Sequence, residues 1–429
     1  MSLSRTKKAK MNIFYSLLQQ FVALLCGFVV PRLLLGAFGS EAYGATSSIA
    51  NFLSYITLLE GGIGGVARAA LYRPLAENNT YEISAVVSEI KRFFRIIAYA
   101  FIGYVIILAC SFKSISGLEC FDWITSALLV VIISFSTFAQ YFIGISNAVL
   151  LQADQRSYIT QILSIFTTIL NTVFIVILIR INCSILTVKL VSSCIFVMKP
   201  IVMWIIVKKQ YSLVSVEERH KELLNQKWTG LGQHIAYFLH SNTDIAVLTI
   251  FSDLTSVAIY SVYNMVVFHI QSIASSFSSG MEALFGDMLA KGEHEELERT
   301  FRYYETLISV ITIFLFSVTA VLIVPFVNIY TEGIKDANYY HPSFAFVLTI
   351  ASVLYCLRMP YHSMIIAAGH FKQTRWAAYG EAAINIGLSI ILVVNFGLIG
   401  VAIGTVVANI SFISSVRCLI SSRRARRQT

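Results

Sequence analysis

Charge is scarce in this chain, and that scarcity excludes most soluble architectures. Asp, Glu, Lys and Arg together make up 13% of the 429 residues, about half the share carried by a wetted globular surface. No polar stretch between the apolar runs is long enough to form a separate soluble domain. The seven cysteines form no Cys-x-x-Cys pair and no metal-ligand spacing, so neither a redox motif nor a zinc centre is expected. Most of them sit inside apolar runs as small hydrophobes; Cys120 and Cys183 fall near one surface, where a disulfide between them is conceivable. Glycines at 61, 62, 64 and 65 are not followed by Gly-Lys-Ser/Thr, which removes a phosphate loop.

Hydrophobic residues, by contrast, make up 57% of the chain, in runs that recur from end to end. A helix needs about 20 apolar residues to cross a bilayer. On that measure spans are expected near 12–35, 43–66, 94–112, 123–150, 158–179 and 184–207, then near 228–251, 256–285, 303–330, 343–368, 374–395 and 398–420. The basic start (Arg5, Lys7, Lys8, Lys10) resembles a signal peptide, but its apolar run is too long and lacks a cleavage site. It reads as a retained first span. With the N-terminus inside, most of the 32 Lys and Arg fall in cytoplasmic segments, as the positive-inside rule requires. A missed span would invert the pattern downstream, and none does. Both termini are therefore expected in the cytoplasm. The net charge of +9 then marks membrane topology rather than nucleic acid, and Arg423-Arg-Ala-Arg-Arg427 reads as an anchor to anionic headgroups. The sequon Asn78-Asn-Thr80 faces the cytoplasm and is discounted.

The fold expected is thus all-α and polytopic, with about twelve transmembrane helices. A polar connection divides it into an N-terminal half (1–209), an amphipathic cytoplasmic linker helix (210–227) and a C-terminal half (228–429). Ala42-Tyr-Gly44 and Ile259-Tyr-Ser261 open spans 2 and 8 in similar fashion, and the turns at 152–156 and 369–375 correspond. Parallel repeats of this kind would set a substrate cavity between halves that rock in alternating access; ordinary likeness among loop turns explains the same residues equally well.

Longer strings carry a resemblance. Residues Glu381–Thr405, the opening Leu35–Gly44 with Tyr55–Gly65, and Ser241-Asn-Thr-Asp244 with Tyr260-Ser-Val-Tyr-Asn264 resemble the O-antigen (Wzx-type) polysaccharide flippases. That family belongs to the superfamily that includes the multidrug and toxin extruders, and the likeness covers essentially the whole chain. It implies translocation of a polyprenyl-diphosphate-linked oligosaccharide from the inner to the outer leaflet of a bacterial cytoplasmic membrane. It also implies membrane lipids and other membrane proteins of polysaccharide assembly as partners, no nucleic acid, and no cofactor beyond a coupling ion, H⁺ or Na⁺. Glu60 stands where the family more often has Asp.

Ionisable groups at membrane depth cost roughly 2.5–3.5 kcal/mol on insertion scales and therefore usually serve a function. Arg358, Arg32, Lys199 and Lys189 suit an anionic diphosphate. Arg358, beside Pro360, is the foremost of these; Arg32, Lys199 and Lys189 could equally snorkel to headgroups. Asp244, with Asn242 and His240, suits binding of a coupling proton or Na⁺. Glu60 and Glu381 are further coupling candidates, though Glu60 could simply pair with Arg68 and Glu381 with an Arg of a neighbouring helix. Glu282, His269 and His362 also lie at depth. Gly400 and Gly404 read as a small-residue packing motif.

Two other functions remain in view. A small-molecule exporter would prefer an acidic cavity for cationic drugs, against which the buried Lys and Arg count. A glycan-assembly enzyme would need a catalytic loop, and the one candidate set is His341 with Glu332 or Asp336.

Overall fold

Side chains at helix ends decide where the helices begin. The computed structural model describes residues 5–60, 63–214, 231–276, 278–369 and 371–428; the side chains at 5, 231–233, 236, 237, 240, 241, 279, 280, 283, 371–375 and 416–428 lie outside the description. Asn79 accepts from the Glu82 N–H (3.2 Å) at the head of α3 (Thr80–Ser116). The helix thus starts well before the apolar run expected at 94. Asp122 caps α4 (Trp123–Ala139) by accepting from the Thr125 N–H, and hydrogen bonding to Thr125 holds its carboxyl below the usual range. Ser184 and Asp253 do the same for α7 (Ile185–Gln210) and α9 (Leu254–Ser275). Each cap satisfies one of the amide donors that a helix start leaves open.

The chain divides into two compact units, Met1–Leu231 and Gly232–Thr429. In the first unit α1 (Arg5–Ser54) is broken at Gly39, whose φ of 83° and ψ of 173° only glycine adopts readily. A 3₁₀ turn (Tyr55–Glu60) and α2 (Ile63–Glu77) follow. Next come α3, α4, a π turn (Gln140–Gly144) leading into α5 (Ile145–Ala153), α6 (Ser157–Arg180) and α7. The N-terminal part of α1 lies along α6, α6 along α7, and α4 along α7 and α3.

The second unit holds α8 (Leu231–Phe251), α9, α10 (Ser278–Lys291), α11 (His294–Tyr330), α12 (Pro342–Ala367) and α13 (Phe371–Gln428). Helix α13 is two helices joined at Gly397 (φ 53°, ψ −129°). Among the described residues nine helices are long and apolar enough to cross a membrane. Division of the first and last at their glycines, together with α8, gives six apolar helical segments in each unit. The protein is an all-α, polytopic membrane protein. Its lipid-facing surface is apolar: Phe14, Ile107, Phe314, Val321 and Val394 are each more than half exposed, as expected where the solvent is hydrocarbon.

Some sequence expectations change. The apolar run expected as one span over 256–285 ends as α9 at Ser275 and resumes as α10 at Ser278, because hydropathy reports apolar length and not helix continuity. Span 2 is α-helical only to Ser54 and then tightens to 3₁₀. The linker helix expected over 210–227 is not formed at 211–214, and the rest of it lies outside the described residues. Cys120 and Cys183 are free thiols. Burial, and then the Glu41 carboxylate beside it, pushes the Cys120 thiol up to about 12.

One end of the first unit is fastened at a single carboxylate. Asp154, in the turn between α5 and α6, pairs with Lys8 of α1 and Arg156 (both 2.8 Å) and accepts from the Tyr211 hydroxyl (2.5 Å) just past α7. Asn12 reinforces this by donating to the Gln155 carbonyl and accepting from the Tyr158 N–H.

Candidate functional site

Helix α7 carries two lysines into the interior of the first unit. Lys189 and Lys199 are ten residues apart, about 15 Å along a helix, and each lines a separate cavity. The larger cavity, about 540 Å³, has Lys189, Ser192, Ser193, Asn171 and Tyr141 among its polar walls and Leu53, Ile133, Ile175 and Phe196 among its apolar ones. Ser192 donates to Asn171 Oδ1 and Ser193 to the Ile132 carbonyl (2.6 Å). Among the described residues, no carboxylate lies within ion-pair distance of Lys189 or Lys199. Such a cation, held in a low-dielectric cavity, attracts an anion far more strongly than it would in water.

The π turn separates the two cavities. It aims Tyr141 into the larger cavity and Gln140 into the smaller one, which has a volume of about 380 Å³. The Tyr141 hydroxyl donates to Glu60 at the end of the 3₁₀ turn. Gly144 lets this segment approach α7: a methyl there would meet Gln140 and lie 3.1 Å from Pro200 Cβ. Single π turns of this kind re-aim side chains inside helices and recur at functional sites.

In the second unit two buried carboxylates belong to one chain of hydrogen bonds. Asp244 of α8, 6% exposed, accepts from the Tyr260 hydroxyl (2.8 Å) and from Thr405 Oγ1 (3.1 Å). Asn385 donates to Thr405 Oγ1 (3.4 Å), and Ser389 reaches the Val401 carbonyl (3.4 Å). Asn409 donates to the Thr405 carbonyl (3.1 Å) and accepts from Arg358 Nη1 (3.1 Å). Arg358 in turn forms an ion pair with Glu381 and stands over the rings of Tyr355 and Phe412, each 4.9 Å from the guanidinium carbon. Both partners are buried. This supplies the neighbouring arginine that the sequence reading offered Glu381. The three strings around Asp244, Tyr260 and Thr405 that carried the sequence resemblance converge on one carboxylate.

The remaining sequence candidates lie elsewhere. Arg32 is half-buried, with Nη1 3.6 Å from the position a Cβ on Gly36 would take, and it is not among the residues lining either cavity of its unit. Asn242 donates to the Phe238 carbonyl a turn back (3.0 Å), and the His240 side chain lies outside the described residues. Arg68, offered as a partner for Glu60, donates to Gln152 Oε1 (3.0 Å). Glu282 accepts from Ser363 (3.4 Å). His341, the catalytic alternative, holds the Asn338 carbonyl through Nε2 (2.8 Å) beside the start of α12. No cluster of three or more His, Cys, Asp or Glu able to hold a metal occurs among the described residues.

Tyr260, Thr405, Asn385 and Asn409 were not singled out as site residues from sequence, nor were Gln140 and Gln161. One signal was available: Ser157, Thr160, Gln161, Ser164, Thr167 and Asn171 recur at three- and four-residue spacing, a polar stripe along one face of α6.

The fold that these elements define is similar to that of MATE-type transporters. No family model matches the chain, and no curated protein does. Solved structures do. The chain is similar to an inward-facing multidrug resistance MATE family transporter of the MOP superfamily, with a TM-score of 0.73, 15% identity and coverage of 94% of this chain and 96% of that one. It is similar to the lipid II flippase MurJ in an inward closed conformation, with a TM-score of 0.71, 14% identity and coverage of 95% and 87%. A third similar structure is a MOP superfamily transporter from Pyrococcus furiosus described by a reverse polarity of its binding pocket, with a TM-score of 0.63, 15% identity and coverage of 97% and 96%. At these identities the likeness is one of fold.

Proposed function

We propose that the protein is a flippase. It moves a polyprenyl-diphosphate-linked oligosaccharide, a repeat unit of O-antigen or another surface polysaccharide, across a bacterial cytoplasmic membrane by alternating access. The observation that carries this reading is the pair of lysines on α7, each lining a cavity with no carboxylate within ion-pair distance among the described residues. Cavities of that polarity suit a diphosphate and disfavour the cationic compounds that a drug extruder takes. The fold shared with a lipid II flippase supports the same class of cargo.

In this proposal both termini are cytoplasmic and residues 1–209 and 228–429 act as the two moving halves. Lys189 contacts the diphosphate, and Asp244 is the coupling site. There Tyr260 and Thr405 supply hydroxyls that donate to the ionised carboxylate. When a proton or Na⁺ binds Asp244, these hydroxyls have to reorient, which ties ion occupancy to the packing of α8, α9 and α13. Arg358 holds Glu381 and acts on α12 and α13 rather than on substrate.

Deletion of the gene in its host, with lipid-linked intermediates assayed by leaflet, tests the proposal. Accumulation of an oligosaccharide-lipid in the inner leaflet, with surface glycan lost, is expected. Unchanged leaflet distribution and normal surface glycan would refute it and favour export of a small molecule.

A further inference from the structure

The smaller cavity of the first unit differs in chemistry from the larger one. Eight of its ten lining residues are polar: four glutamines (19, 140, 152 and 161), Ser157, Thr160, Ser164 and Lys199. Among the described residues that line it, none is acidic and none is aromatic. At roughly 30 Å³ per water, a cavity of about 380 Å³ has room for one or two sugar rings, but the lining gives a ring no flat face on which to stack.

Its α6 wall is rich in acceptors. Thr160 spends its hydroxyl proton on the Ser157 carbonyl (2.7 Å) and Ser164 spends its own on the Thr160 carbonyl (2.9 Å). Both oxygens therefore offer lone pairs to the cavity. Gln161 Oε1 is buried without a hydrogen-bond partner among the described residues, and an unmet acceptor of that kind costs about 1–3 kcal/mol. Gln152 Oε1 is occupied by Arg68, which leaves its amide N–H groups as donors. The cavity thus pairs a row of acceptors on α6 with one ammonium on α7. A ligand that satisfies both presents several O–H donors and one anionic group.

We infer that the Gln161–Lys199 cavity is a binding site for an acidic carbohydrate, a sugar bearing a carboxylate or a phosphate. Its hydroxyls donate to Thr160 and Ser164 and, once the enclosed Gln161 amide turns toward it, to Gln161 Oε1, and its anion meets Lys199. The inference rests on the oligosaccharide reading above and deepens it: the cargo contains an acidic sugar, read apart from the diphosphate. The polar stripe on α6 continues from Ser157 to Asn171, which lines the larger cavity. One molecule can therefore lay its sugar at Lys199 and its diphosphate toward Lys189.

The test uses the purified full chain in lipid nanodiscs, titrated by calorimetry with glucuronate, glucose 6-phosphate, glucose and inorganic pyrophosphate. Binding of glucuronate or glucose 6-phosphate at least tenfold tighter than glucose is expected, and which of the two binds identifies the acid. Lys199→Gln should abolish the preference over glucose, Gln161→Leu should weaken all the sugars about five- to tenfold, and Lys335→Gln, at an exposed lysine that lines neither cavity, should leave them unchanged. Each variant is included only if its thermal melting matches the wild type. Pyrophosphate bound at Lys199 with no sugar binding would overturn the inference and make the cavity a headgroup site. Absence of binding by all four probes would overturn it as well. The flippase reading fails separately, on leaflet distribution in the host, whatever these titrations give.

Discussion

Arg358 illustrates how a buried charge is to be read once its partners are known. Its guanidinium is enclosed by Glu381, Asn409, Tyr355 and Phe412, so removal of Arg358 alone takes the ion-pair partner from a carboxylate in a low-dielectric interior. That costs about 3–5 kcal/mol. Arg358→Met should therefore lower the melting temperature of the purified protein sharply, while Arg358→Met combined with Glu381→Leu restores much of it. Transport by the double variant would confirm that the pair is structural; full melting stability without transport would return Arg358 to the substrate path. Asp244 accepts from the Tyr260 and Thr405 hydroxyls, contacts that an amide oxygen can keep. Asp244→Asn should retain the fold and lose the dependence of transport on an ion gradient, measured in proteoliposomes with imposed H⁺ or Na⁺ gradients. Unchanged dependence would end its coupling role. The charged members of these sites were legible in the sequence, since a Lys or Asp interrupts an apolar run conspicuously. Their partners were not: Thr405, Tyr260, Asn409 and Gln161 barely alter hydropathy, and only the folded chain brings α8, α9 and the two arms of α13 together.

Among the elements, close approach of backbones is what single substitutions should disturb. A methyl group on Gly400 would fall on the Leu392 carbonyl oxygen, and one on Gly404 would fall on Ser389, across the bend at Gly397. Gly404→Ala should cost about 1–3 kcal/mol, as overpacking usually does, and should also reduce ion coupling because Thr405 is the next residue. Gly144→Ala should push α7 off the π turn at Pro200 and be read as lowered sugar affinity with a modest loss in melting temperature. An unaltered melting curve for both variants would show that these helices have room to shift. Helix count was readable from hydropathy and charge sidedness. Helix ends were not, since a cap such as Asn79 lies outside the apolar run it serves. The break between α9 and α10 falls in a serine-rich stretch (Ser275, Ser276, Ser278 and Ser279), whose small, weakly polar side chains barely interrupt the hydropathy of the run.

The molecule as a whole makes a prediction about sidedness. On the proposed topology, with both termini in the cytoplasm, a membrane-impermeant maleimide applied to intact cells should label cysteines placed at Asn182 or Lys335 and spare one placed at Asn78. Native Cys120, in the connection between α3 and α4, should label from outside only as pH rises well above neutral, because its thiol is pushed up to about 12 and little thiolate exists at pH 7. Labelling at Asn78 from outside would invert the proposed topology and with it the direction of transport.

Asp154 has a further consequence at this scale. The start of α1, the turn before α6 and the end of α7 all reach the same carboxylate, so none of the three can let go without altering what the other two hold. That end of the first unit should part as a clasp, and loss of Asp154 would leave the three ends joined by the Asn12 bonds to Gln155 and Tyr158 and by Arg156 to Gln210.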